Sequence, residues 1–301
     1  MLAHVAFTFA PLQLAPTLGL GLMYGVRART LRERGAPVPG WRQWCWYSGL
    51  ALILATLVSP LAHLSDELFL AHMTEHLLIA DLGALLLALG LTGPLLQPIL
   101  HVRELAWLKW LAHPVVALVL WAVDFYVWHL PALYQGAVQN ESVHALEHLL
   151  FVGCGMAMWM ALLGPLPKPA WFGNLARLIY IIVVRLTETV LANALLWSGT
   201  VFYPRYAATE RDWGISPIND QSAAGAIMMI EGSIVTICLF CWLFLRAARA
   251  SEERQELVEL AAAHGVELSE QRAARAVSAG RGEALRQRIT GTAPPPAPPA
   301  P

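Results

Sequence analysis

Charge is what this sequence has least of. Only 14% of its 301 residues are Asp, Glu, Lys or Arg and 57% are hydrophobic, whereas an average soluble domain is about 25% charged. The charge is also pushed to one end. From Arg246 onward lie 8 of the 20 basic and 7 of the 21 acidic residues, which leaves 26 charges for the first 245 positions. A body that apolar does not stay dispersed in water. A net charge of −1 without a basic block excludes a nucleic-acid partner, because phosphate binding needs a clustered positive surface. Four cysteines in a chain of this length make no disulfide framework. Also absent are a glycine-rich phosphate loop, a G-x-S-x-G elbow and a zinc H-E-x-x-H motif. These absences point to an all-α, polytopic membrane bundle with a polar tail.

A helix crosses a bilayer with about 20 mostly apolar residues. Seven runs of that kind are present: Phe7 to Val26, Trp44 to His63, Leu68 to Leu91, His113 to Leu130, His144 to Leu163, Ala176 to Trp197 and Ser222 to Leu245. No basic segment precedes the first run and no small-residue cleavage site follows it, so it is expected to stay as a span. Basic residues collect in cytoplasmic loops. They alternate here as seven crossings require, with Arg27, Arg29, Arg32, Arg34 and Arg42 after span one, Arg103 and Lys109 after span three, and Lys168 and Arg177 after span five. The loops after spans two and four have none, and the loop after span six has Arg205 and Arg211. The expectation is an outside N-terminus and an inside C-terminus. Residues 1–247 form the membrane domain, and residues 248–301 form a cytosolic tail of amphipathic helix ending in the Pro-rich APPPAPPAP.

This topology sorts the histidines by depth. His63 closes span two, His72 and His76 open span three, His129 closes span four, and His144 and His148 open span five, so all six fall at the outer end. His4 is also outside, while His101, His113 and His264 are on the cytosolic side. Imidazole at that depth is costly unless paired or ligated. His72 with His76, and His144 with His148, stand at i and i+4, which puts each pair on one helix face. Glu75 and Glu147 precede the second histidines and can act as ligand, orienting group or base. HMTEHLLIADLG and HALEHLLFVGCG share the register H-x-x-E-H-L-L-x-x-x-x-G, and each follows a span ending in a further histidine. Segments 63–91 and 129–155 therefore read as a parallel internal repeat. Gly83 and Gly155, seven residues beyond the second histidines, allow close helix approach. The reading favoured is one metal or cofactor site; a hydrogen-bonded polar cluster and unconnected interfacial histidines are the alternatives. Imidazoles suit copper, zinc or haem iron, and thioethers favour Cu(I), with Met73, Met228 and Met229 in the outer halves of their spans.

Asp81, Asp124, Arg185, Glu188 and Glu231 fall inside spans. Ionisable groups there face the bundle and pair. Arg185 can meet Glu188 at i+3, or Glu231 or Asp124 across helices, either as an ion pair that fixes packing or as part of a proton or cation route. Cys238 and Cys241 form a C-x-x-C in the cytosolic half of span seven, read as small packing residues, with a copper relay as the alternative.

Taken together, HMTEH, WHLPALY, HALEH and DQSAAGAIMM (Asp220 to Met229) resemble the multi-pass CtaG-type cytochrome c oxidase assembly factors of bacteria, associated with caa-type oxidases. The resemblance covers roughly Leu68 to Leu245 and excludes the tail after Arg246. It implies a non-enzymatic, copper-binding membrane factor of respiratory chain biogenesis that helps deliver or insert copper into the oxidase and contacts its subunits. By position it carries over His72, Met73, His76, His129, His144, His148, Asp220, Gln221 and Met228. Association into a homo-oligomer is left open. Three other functions fit the same residues: a membrane zinc hydrolase with Glu75 or Glu147 activating water, a haem-binding electron carrier, and a copper permease drawing on the mid-membrane acids.

Overall fold

The computed structural model describes residues 11–105, 108–111 and 113–291. His4, the first residues of span one, the Lys109 side chain and the Pro-rich end lie outside the described residues or side chains. The fold is all helical, with no strand among the described residues. In chain order the α-helices are α1 (Pro11–Glu33), α2 (Gly40–Val58), α3 (Pro60–Leu64), α4 (Phe69–His76), α5 (Ala84–Gly90), α6 (Gly93–His101), α7 (Leu108–Leu111), α8 (Pro114–Trp128), α9 (Pro131–Val138), α10 (Glu141–Leu163), α11 (Asn174–Trp197), α12 (Ala207–Asp212), α13 (Pro217–Ala263), α14 (Glu270–Ser278) and α15 (Gly282–Ile289). A π-helical segment, Leu77–Gly83, joins α4 to α5 without a break, and short 3-10 turns sit at Arg103–Leu105 and Pro204–Tyr206.

Among the described residues four helices are long and apolar enough to cross a membrane: Phe69–Gly90, Glu141–Leu163, Asn174–Trp197 and Pro217–Ala263. A fifth is made if α8 and α9, bent by 75° at the residues before Pro131, count as one broken span. The bend has a local cause. Proline cannot supply the N–H that would continue α8, and it pushes the preceding residue to extended backbone, where Leu130 has ψ 129°. At the positions of the first two expected spans stand α1 and α2, of 23 and 19 residues. The last two turns of α1 carry Arg27, Arg29, Arg32 and Glu33, and α2 opens with Arg42 and Gln43 and stops at Ser59, before Pro60.

By contact clustering the chain forms two compact units, 1–236 and 237–301. The boundary falls inside α13, which continues as one 47-residue helix where the sequence places a change from membrane to tail. In the first unit Phe69–Gly90 is central, packed between α2 and α10. Small residues set both contacts. A Cβ on Gly49 would stand 3.1 Å from the Gly83 carbonyl, and one on Gly155 would strike the Ala80 backbone, so the helices meet almost backbone to backbone. Arg42 closes the far end by donating to the Leu89 and Leu91 carbonyls at 3.0 and 2.6 Å, where a helix C-terminus favours a cation. In the second unit Leu257, Ala261, Ala273 and Ile289 form a small core of their own, and Arg286 pairs with Glu256 at 2.7 Å.

Candidate metal centre

The two H-x-x-E-H segments enter the bundle side by side, each started by a polar cap. Asp220, at the start of α13, accepts from the Phe69 and Leu70 N–H groups at 2.6 and 3.1 Å, satisfying the first turn of α4. Asn140 does the same for α10, its Oδ1 accepting from Ser142 and Val143 N–H at 3.0 and 3.2 Å. Gln221 ties down the loop above, accepting from Phe202 N–H at 2.8 Å and donating to Thr200 O at 3.0 Å. With both helix starts held, the four motif rings come together. Ring centroids are 4.4 Å apart for His72 and His76, 4.2 Å for His144 and His148, 5.2 Å for His72 and His144, and 5.3 Å for His76 and His148.

Within this cluster His72, His76, His144 and Glu147 each present a ligand atom, all within 4.8 Å of one another. His72 and Glu147 are fully buried. The Nε2 of His72, both ring nitrogens of His76, the Nε2 of His144 and both Glu147 oxygens are buried without a hydrogen-bond partner. A buried polar atom left unmade costs about 1–3 kcal/mol, so six of them in one cluster, with one from each of the four residues drawn together, describe a site shaped for something that binds them. Imidazole nitrogens with one carboxylate fit a transition metal.

Neighbouring groups set which nitrogens are bare. His72 Nδ1 lies 3.3 Å from both the Ser65 carbonyl and the Tyr206 hydroxyl. With that Nδ1–H donated to the carbonyl, Nε2 is left as the ligand, the usual arrangement around metal-binding histidines. Tyr206 shares a 2.8 Å bond with Tyr134, and Tyr203 donates to the His129 carbonyl at 2.7 Å. These buried tyrosines form one wall of the site. Sequence reasoning missed Tyr203 and Tyr206; the only signal was Tyr134 within WHLPALY.

The other predicted residues fall in three places. His129, 7% exposed, stands beside the cluster, 6.4 Å from His76, with Nδ1 2.6 Å from Phe125 O. His63 lies apart, where its Nε2 meets Glu67 at 3.5 Å, and Glu75 turns toward Ser65 and Asp66. Met73 and Met228, both buried, line a cavity that reaches from His76 and His129 to Asp81, Glu188 and Glu231. Arg185 Nη1 is 3.7 Å from Glu188, while Asp124 sits by Trp128 and Cys154. Cys238 and Cys241 are free and exposed on α13. In the loops flanking the site, Glu210 is 2% exposed and pushed up to about 7 by burial and then by the adjacent Asp220 carboxyl; burial also raises Asp66.

Comparison with known proteins adds a family. A family model described as cytochrome c oxidase caa3 assembly factor (Caa3_CtaG) matches residues 22–250. Uncharacterized proteins of Mycobacterium bovis and Mycobacterium tuberculosis are each 27% identical over 249 residues, covering 76% of this chain. The chain spans 37% of the length of those relatives. No solved structure matches it.

Proposed function

The chain belongs to the cytochrome c oxidase caa3 assembly factor family, and from that premise we propose that it carries copper as cargo to the oxidase through its histidine centre. The observation that carries this reading is the convergence of His72, His76, His144 and Glu147 with their donor atoms unpartnered. His129 and the thioethers of Met73 and Met228 line the cavity that His76 shares with this cluster, and soft sulfur beside imidazole favours copper over zinc. A carrier hands its ion on by ligand exchange to an oxidase subunit, so no base is needed. Glu147 serves here as a ligand, which is why we prefer transfer to hydrolysis.

Membrane placement follows the same reading. We take the protein to cross a bacterial inner membrane seven times, with the metal centre at the periplasmic side and the tail in the cytoplasm. Exposed tryptophans support two interfaces, Trp41, Trp44, Trp110 and Trp171 at one end of the first unit and Trp197 and Trp213 at the other. The arginines in the last two turns of α1, with Arg34 and Arg42 just beyond, gather at the former end, as the positive-inside rule asks of a cytoplasmic face.

Metal content and an absorption spectrum of the purified full chain, loaded with copper, test the reading. We expect histidine-bound copper in the wild type, loss of that nitrogen-coordinated ion in His72→Ala and His144→Ala, and its retention in His63→Ala. Equal, negligible copper in all four proteins would overturn the proposal. Zinc in place of copper would favour the hydrolase, and a Soret band the haem carrier.

A further inference from the structure

Three acids in the bundle interior have no part in the histidine centre. Asp81 comes from the π segment, Glu188 from α11 and Glu231 from α13. Asp81 accepts from Trp159 Nε1 at 3.0 Å, and its carboxyl faces that of Glu231. Both Glu231 oxygens are buried without a hydrogen bond of ordinary geometry. Among the described residues the cation near them is Arg185, whose Nη2 donates to the Met229 carbonyl and the Ser233 hydroxyl, both at 2.9 Å, leaving Nη1 at 3.7 Å from Glu188. Gly232 makes room for that pair, since a Cβ there would stand 2.7 Å from Arg185 Nη1 and 2.8 Å from Glu188 Oε2. Ionised together, three carboxyls against one guanidinium would leave negative charge uncompensated, and an unpaired ion in such an interior costs several kcal/mol, which a shared proton or a bound cation relieves.

A second observation says what could compensate it. The three acids line a single cavity of about 50 Å³, and His76, 6% exposed with neither ring nitrogen hydrogen-bonded, lines the same cavity. Holding a water takes about 10–15 Å³ of such space, so the cavity has room for one cation together with waters of its shell. The π segment is what brings these groups together. Five residues along an α-helix make about 1.4 turns, which would point Asp81 about 140° away from His76. In a π turn the hydrogen bond runs from i to i+5, so the fifth residue comes back over the first. Leu77–Gly83 is that turn, and both residues line the cavity.

We propose that this cavity is a second cation site, which takes a divalent transition-metal ion on carboxylate oxygens of Asp81, Glu188 and Glu231, with His76 at its rim. Oxygen with imidazole is a donor set that such ions accept. The ion binds without change of oxidation state. Its use as a receiving station for cargo from the histidine centre rests on the copper reading, while the binding of a cation does not.

The test loads the full chain in detergent micelles with Cu²⁺ alone and counts bound ions by elemental analysis, with EPR to separate nitrogen-rich from oxygen-rich coordination. Wild type is expected to hold two ions with two signals. Asp81→Asn with Glu231→Gln should drop to one ion and keep the nitrogen-rich signal; Glu231→Gln alone, neutral and of equal size, should weaken the oxygen-rich signal if the double variant does not fold. His144→Ala should lose the nitrogen-rich signal and keep the other. The proposal is overturned if the acid variants keep two ions, or if wild type shows no oxygen-rich signal. Loss of the nitrogen-rich signal from every protein, with the oxygen-rich one intact, defeats the histidine-centre reading and supports this one.

Discussion

Segments 63–91 and 129–155 carry the same H-x-x-E-H pattern, yet the fold uses them differently. In the second, α10 runs unbroken through His144, Glu147 and His148, and Glu147 joins the ligand cluster. In the first, the helix widens into a π turn directly after His76, and Glu75 faces Ser65 and Asp66 instead. The preceding histidines also part company, His129 beside the cluster and His63 on Glu67. A repeated motif thus supplies the shared donors, and the departures from the repeat supply the asymmetry. One copy adds its carboxylate to the histidine cluster; the other widens its helix and turns Asp81 toward the cavity that His76 lines.

Three comparisons between variants would break or sharpen that contrast. The largest effect is expected for Glu147→Gln, which should weaken copper binding by about 10–100-fold, the range seen when groups supporting a metal site are removed. Glu75→Gln should leave affinity within about twofold. Competition titration with a copper chelator decides it, and equal losses for both would restore the symmetry denied here.

Next in size is helix contact. Gly155→Ala puts a methyl against the Ala80 backbone and should cost about 1–3 kcal/mol. Gly153, two residues earlier with open space around its Cβ position, should accept alanine at no cost, or with a gain of up to about 1 kcal/mol from helix propensity. Thermal unfolding in detergent compares the two, and equal midpoints would mean that α10 does not press on the first copy.

The smallest effect concerns the cap on that first copy. Glu210 is pushed up to about 7 from an ordinary 4.5, so its ionised form is disfavoured in the fold. Its contribution is complete below about pH 4.5 and is lost as pH rises through about 7. Ionising it places a second charge beside Asp220, which holds the first turn of α4. Glu210→Gln should match wild type at pH 4 and unfold at a higher temperature than wild type at pH 8. Identical pH slopes for the two proteins would remove Glu210 from the account.

Much of this was legible in the residues. The i, i+4 spacing of His72 with His76 and of His144 with His148 puts each pair on one face whatever surrounds it, and the shortage of charge before Arg246 demands helices that satisfy their own backbone. The Arg185 and Glu188 pairing at i+3 is equally local. The π turn was not legible, because LLIADLG has no residue that a regular helix would refuse. Nor was the tyrosine wall, since Tyr203 and Tyr206 lie in a loop that only tertiary packing returns to His72.

The sequence by itself thus determined the class of molecule, the ends of the bundle where histidines gather and the chemistry they offer, since composition and helical periodicity act within a turn or two of each residue. Only the tertiary structure decided which of two matching glutamates joins the histidine cluster, which extra histidine stands beside it, and that His76 and Asp81 open onto one cavity. Those choices depend on contacts between helices far apart in the chain, and on a widened turn whose place is set by what packs around it.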